Sequence, residues 1–213
     1  MSVGRFITFE GGEGAGKSTQ VRRLAERLRE ARAGRVVLTT REPGGAPGAE
    51  EIRGLLINGD ASRWDAMSEA LLHFAARREH LVRTIWPALA QGQWVVCDRF
   101  ADSSLAYQGY GQGLGREAIA ALYALAVGDF RPDLTLILDL PVEEGLRRAG
   151  KREGGLDRYE RMDGAFHHRL RRAFLDVAQQ EPERCRLIDA AAGEDLVAAR
   201  VWEAVAGHFG LYP

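Results

Sequence analysis

Along this chain, short apolar runs alternate with longer stretches in which apolar residues recur every three to four positions. Five runs are aliphatic or β-branched and too short for helices: Arg5–Glu10, Arg35–Thr40, Trp94–Asp98, Leu134–Leu140 and Arg186–Asp189. They predict buried strands. Between them, helical periodicity marks Ser18–Ala31, Ala49–Ile57, Met67–Ala90, Arg116–Val127, Val142–Arg148, Ala165–Gln180 and Leu196–Phe209. In the first of these, Val21, Leu24, Ala25 and Leu28 share one face, with Arg22, Arg23, Glu26 and Arg27 between them. Pro87 should kink the third helix or start a new segment, and Gly92 and Gly128 read as helix stops. Alternation of this kind predicts an α/β fold, a parallel sheet with helices on both faces. Ligands in such folds bind beyond the carboxyl ends of the strands. That rule directs attention to Glu10–Ser18, Arg41–Gly45, Asp98–Gly113 and the stretch from Asp139 onward. With 213 residues, no repeat and no linker-like composition, a single domain spanning 1–213 is expected.

Composition narrows the function classes. Hydrophobic residues make up 46% and charged residues 28%, as in ordinary globular enzymes. A net charge of −1 and a pI near 6.5 argue against a nucleic-acid partner. No apolar run is long enough to span a membrane, and Met1 to Phe9 lack the apolar centre of a signal peptide, so a cytoplasmic location is expected. Cys97 and Cys185 both fall in expected strands and read as buried, inert thiols. Residues 147–172 hold nine Lys and Arg against four Asp and Glu. Within them His167 and His168 are adjacent on a helix, about 100° apart, and cannot chelate as an i, i+4 pair could; a solvated face is expected for both.

The richest local chemistry is FEGGEGAGKSTQ, Phe9–Gln20. Gly11–Ser18 match G-x-x-x-x-G-K-[ST] between a strand and a helix, the context that a phosphate-binding P-loop requires. Gly11, Gly12, Gly14 and Gly16 let successive N–H groups turn towards an anion at the N-terminus of the following helix, with Ala15 and Thr19 completing the cradle. Lys17 would bridge the outer phosphates and the Ser18 hydroxyl would ligate Mg²⁺. Only Lys17 and Lys151 are lysines among 29 Lys and Arg, which suggests that position 17 needs a compact point charge. Glu13 is the anomaly, a carboxylate inside an anion-binding loop. A P-loop alone fits kinases, GTPases and motor ATPases, but neither lysine lies in a guanine-reading N-K-x-D stretch.

Four further segments carry a resemblance. TREPGG (Thr40–Gly45), HFAARREHL (His73–Leu81), DRFADSSLAYQGYGQG (Asp98–Gly113) and GDFRPDLTLILDLP (Gly128–Pro141) resemble thymidylate kinase, and the similarity runs in order over nearly the whole chain. The resemblance implies a P-loop nucleotide kinase fold with a five-stranded parallel sheet. It implies transfer of the γ-phosphoryl of ATP to dTMP with Mg²⁺, giving dTDP and ADP in dTTP synthesis, and a homodimer with the apolar third helix as a contact. The alternative is another deoxynucleotide or nucleoside kinase on the same scaffold.

The resemblance also assigns roles. Asp98, at a strand end, would orient Mg²⁺ or its waters, and Arg99 would bind the acceptor phosphate with its planar fork. Glu13 would accept a hydrogen bond from the 3′-hydroxyl of the acceptor deoxyribose. Phe74 would stack on thymine, with Arg77 and Arg78 one helical turn on; relatives that carry the aromatic four residues before the arginine would have it at His73. Ser103, Ser104, Tyr107 and Gln108 would line base and sugar, and Arg41 would support the acceptor phosphate. The spacer Gly12-Glu13-Gly14-Ala15 holds no cation, whereas some relatives place an arginine there. The compensating charge is therefore expected from a mobile lid at about 147–158, as in bacterial relatives. Arg152 and Arg148 lead, with Arg158 behind them, and an arginine transplanted to Gly14 would compensate if the backbone accepts a side chain.

Overall fold

The computed structural model describes residues 4–31, 36–60, 62–151 and 158–211. Its organising strand is the one preceding the glycine loop. Arg5–Glu10 (β1) is fully buried from Phe6 onward and pairs in parallel with Trp94–Asp98 (β3) on one side and Leu134–Asp139 (β4) on the other. Val37–Arg41 (β2) and Cys185–Asp189 (β5) form the edges, giving five parallel strands in the order β2-β3-β1-β4-β5. Central strands are buried on both faces and read as continuous apolar runs, whereas the edge strands are only partly covered. From β1 the chain goes to β2 and β3 on one side, then crosses to β4 and β5 on the other, so the carboxyl ends of β1 and its neighbours form a topological switch point.

Strand alternation divides the core. Ile7, Phe9, Val96, Leu136 and Leu138 pack with Val21, Leu24 and Leu28 of Lys17–Ala31 (α1) and Val197, Val201 and Val205 near the C-terminus. Phe6, Val95 and Cys97 point the other way, against Ala70, Phe74, Leu81, Ile85 and Ile119. Ile137 joins Leu170, Phe174 and Val177 in a third cluster. At about 25 cal/mol per Å² of apolar surface, burial of this kind is the main favourable contribution to folding. Both cysteines are free and buried.

Each expected strand and helix is present, with described ends displaced by two residues or fewer; Arg35 lies outside the described residues. The helices are Pro47–Ile57 (α2), Ala66–His80 (α3), Trp86–Ala90 (α4), Ala101–Ser104 (α5), Gly115–Ala126 (α6), Val142–Ala149 (α7), Gly164–Gln180 (α8) and Glu194–Phe209 (α9). Asp65 caps α3 by accepting from the N–H groups of Met67 and Ser68. Pro87 marks a new segment, as expected: a π-helical turn over Leu81–Ile85, closed by Trp86 N–H donating to Leu81 O, separates α3 from α4, and Pro87 sits in the first turn of α4, where a missing donor is tolerated.

One helical stretch is unexpected, and one expectation fails. Residues 101–111, absent from the helices read from periodicity, form a helical turn (α5) followed by a π-helical segment, Leu105–Gly111. Its serines and glycines are poor helix formers, and packing of Ala106 and Tyr107 against Phe166 and Leu170 overrides them. The two histidines are not both solvated. His167 is buried, and burial lowers its pKa, while His168 is exposed and lies 3.3 Å from Glu143.

Candidate active site

The glycine loop turns on left-handed residues at Gly14 and Gly16, where a side chain would be strained. A Cβ at Gly14 would also meet the backbone carbonyl of Gly145 on α7, so loop and helix touch main chain to main chain. The transplant considered for Gly14 is therefore excluded. Lys17, first residue of α1, folds back so that Nζ donates to Gly11 O (3.1 Å) and Gly12 O (2.8 Å). Burial and the charge of Arg99 depress its pKa to about 8, against the opposing pull of Glu13, Asp98 and Glu10.

β1 and β3 are neighbours, so Asp98 emerges beside the loop. Ser18 Oγ donates to Asp98 Oδ2 at 2.6 Å, bringing together a hydroxyl and a carboxylate. Arg99 follows with φ of 70°, a left-handed conformation uncommon for a non-glycine residue. Its guanidinium donates to Gly11 O (3.1 Å), Ser103 Oγ (3.2 Å) and Glu13 Oε1 (3.0 Å), and lies 5.0 Å from the centre of the Tyr107 ring. Behind it, buried Glu10 accepts from Phe100 N–H (2.8 Å), Ser103 N–H (3.3 Å) and Ser103 Oγ (2.6 Å). Burial and the nearby Asp102 push its carboxyl up to about 8, against these hydrogen bonds and Arg99.

Glu13 thus turns into the cleft. Its Oε1 accepts from Arg99 and from the Tyr107 hydroxyl. Burial alone would raise its pKa, but Arg99, Lys17 and Tyr107 outweigh it and hold the carboxyl at about 2. A carboxylate is tolerated beside an anion site because two cations flank it.

These groups share one cleft of about 510 Å³. One end holds the loop from Glu13 to Thr19, with Arg148, Ala190, Ala192, Glu194 and Val197. The other holds Arg41, Arg53, His73, Ser103, Ser104, Tyr107, Gln108 and Tyr159. Gly11 and Gly12 stand behind the loop, beside α7. Two groups of lining residues were missed from the sequence. Ala190–Val197 follow β5, and the strand-end rule, extended to the fifth strand, would have found them. Arg53 projects from α2 with Nη1 on Pro43 O (2.8 Å), and no pattern set it apart from other helix arginines.

The α3 assignments need correction. Phe74 is 3% exposed in the apolar cluster behind the sheet; it is His73, one position earlier, that lines the cleft. The His73 ring donates to or accepts from Tyr159 OH at 2.8 Å, and burial with Arg77 and Arg99 nearby lowers its pKa to about 3, so the ring is neutral. Arg77 does not reach the cleft surface either. Its buried guanidinium bonds Glu42 (2.8 Å), Ser104 Oγ (3.1 Å) and Phe100 O (3.0 Å), stacked 4.8 Å from Phe74. Arg78 faces α6, donating to Ala126 O (3.2 Å) over the Trp86 ring.

Among the expected lid arginines, Arg148 lines the cleft, bonded to Glu144 (2.8 Å) and Ala190 O (3.2 Å). Arg158 is no lid cation: it is fully buried, paired with Glu69 and bonded to Leu56 O (3.0 Å). Arg152 lies outside the described residues.

Residues 9–201 match the protein family described as thymidylate kinase. The chain is 56% identical to a thymidylate kinase of Caulobacter vibrioides over 99% of this chain and 100% of that one. It is 54% identical to one from Rhizorhabdus wittichii, covering 95% and 97%. The crystal structure of thymidylate kinase from Ehrlichia chaffeensis superposes with a TM-score of 0.76 at 38% identity, covering 95% of this chain and 99% of that one.

Proposed function

The chain belongs to the thymidylate kinase family, and on that premise we propose that it transfers the γ-phosphoryl group of ATP to dTMP, giving dTDP and ADP for dTTP synthesis. One observation carries this reading. A P-loop and a pocket ringed by Arg41, Arg53, Tyr107 and Gln108 open into the same cleft, with Arg99 between them. Phosphoryl transfer is chiefly positioning and charge neutralisation, and that layout supplies both.

Lys17 and the loop amides hold the donor phosphates, and Arg148 approaches them from α7. The stretch after β5 packs on the nucleoside of ATP. Arg99, Arg41 and Arg53 receive the acceptor phosphate, Glu13 the 3′-hydroxyl, and Tyr107 the sugar. Neutral His73 and Gln108 face the base. Ser18 Oγ and Asp98, hard oxygens 2.6 Å apart, suit Mg²⁺, which when bound neutralises charge on the transferring phosphates. Of the lid expected at about 147–158, Arg148 lines the cleft beside the P-loop, and residues 152–157 lie outside the described residues.

A homodimer is supported by exposed Met67, Leu71 and Val82 along one side of α3 and its π turn, with Leu125 on neighbouring α6. No described helix is long and apolar enough to cross a membrane; a cytoplasmic location suits an enzyme whose substrates are free nucleotides. Separation of products by anion exchange tests the reaction. dTDP and ADP should accumulate in equal amounts from ATP·Mg and dTMP, and ADP formed without dTDP would contradict it.

A further inference from the structure

Gln108 faces the cleft, yet only half of its amide is engaged. Nε2 donates to Glu69 Oε1 at 2.8 Å, and Oε1 has no partner among the described residues although the side chain is 1% exposed. Amide orientation is set by its neighbours. Here the neighbour is decisive. Glu69 is fully buried and paired through Oε2 with the equally buried Arg158, itself held by Leu56 O (3.0 Å) and Tyr159 OH (3.1 Å). Beside that guanidinium the carboxylate has no proton to give, so it accepts only. Gln112 Nε2, also 2.8 Å from Oε1, makes the same use of it. Gln108 must therefore present nitrogen to Glu69 and oxygen away from it.

We infer that Glu69 and Arg158 are positioning residues for base selection: they lock the Gln108 carboxamide with its oxygen towards the acceptor base. The inference rests on the dTMP reading above. A fixed acceptor complements the N3–H of a thymine or uracil ring. Cytosine carries a lone pair at N3, and would bury two acceptors face to face. A site built around a required donor rejects the analogue lacking it far more strongly than shape alone can. An amide free to flip would serve both rings. This also gives Arg158 a role that its removal from the lid left open.

The test compares kcat/KM for dTMP and dCMP. Glu69→Leu with Arg158→Met removes both buried charges together, the replacement most compatible with folding. Far-UV circular dichroism and cooperative unfolding verify the fold. The dTMP:dCMP ratio should fall at least about tenfold. In a Gln108→Met background, where no amide is left to orient, the same pair should change the ratio by less than about twofold, the non-additivity expected of residues acting through Gln108. If the double variant does not fold, Glu69→Gln, which keeps the side chain's shape, is judged by the same thresholds. A folded variant whose ratio stays within twofold of wild type overturns the inference, as does an equal fall in both backgrounds. Wild-type protein without preference for dTMP over dCMP would instead overturn the parent reading.

Discussion

Replacing Glu13 by Gln isolates the charge that the glycine loop accommodates. The substitution keeps the shape and one acceptor oxygen, so Arg99 and Tyr107 retain a partner, but it removes the negative charge. In the folded protein Glu13 has a carboxyl held at about 2 instead of its ordinary 4.5, with the side chain only 10% exposed. That difference corresponds to about 3 kcal/mol favouring the ionised folded state. A depressed folded pKa stabilises above the unfolded value and loses its effect as pH falls. Wild type should therefore exceed Glu13→Gln by about 3 kcal/mol at pH 7 and at pH 5. Below about pH 4.5 the unfolded chain takes up the proton first, and the gap should close by about 1.4 kcal/mol per pH unit. Urea unfolding of both proteins at pH 7, 5, 4 and 3.5 measures this, since titrations common to the two cancel in the difference. A gap that stays constant down to pH 3.5, or no gap at pH 7, would refute the electrostatic account of the loop.

Lys17→Ala should lose most turnover while keeping its circular dichroism spectrum, because the side chain contacts loop carbonyls and supports little core; near-normal turnover would contradict the P-loop role. Arg148→Ala should lower kcat on the order of 10³-fold with little change in dTMP KM, the mark of a contact made mainly in the transition state. Full kcat in both Arg148→Ala and Arg152→Ala would mean that the compensating cation lies elsewhere. Gly14→Ala should destabilise by roughly 2 kcal/mol or more, from its φ of +68° and the carbonyl of Gly145, and an unchanged melting temperature would argue against that contact.

The sheet was legible because its central strands are buried on both faces and its helices on one. Those two periods survive in any α/β sequence. The cleft end of the sheet was legible too, since Lys17, Ser18, Asp98 and Arg99 sit where strands end and need no side-chain detail to be located. Residues 101–111 were not, because their helix is imposed by neighbours and opposes local propensity. Phe74 was misassigned although its stripe was visible: Ala70, Phe74, Leu81 and Ile85 form the apolar face of one helix, and His73 lies off it. The buried Glu69–Arg158 pair joins residues 89 positions apart, beyond the reach of any local pattern.

The central claim is that this cleft phosphorylates a nucleotide and not a nucleoside. Arg41, Arg53 and Arg99 line the end of the cleft proposed above for the acceptor, and planar guanidiniums suit phosphate oxygens, although Arg41 also pairs with Glu50 (3.0 Å) and Arg99 with Glu13 (3.0 Å). Steady-state ADP release with ATP·Mg should give high kcat/KM for dTMP and almost none for thymidine. Comparable turnover of the two acceptors would contradict the account.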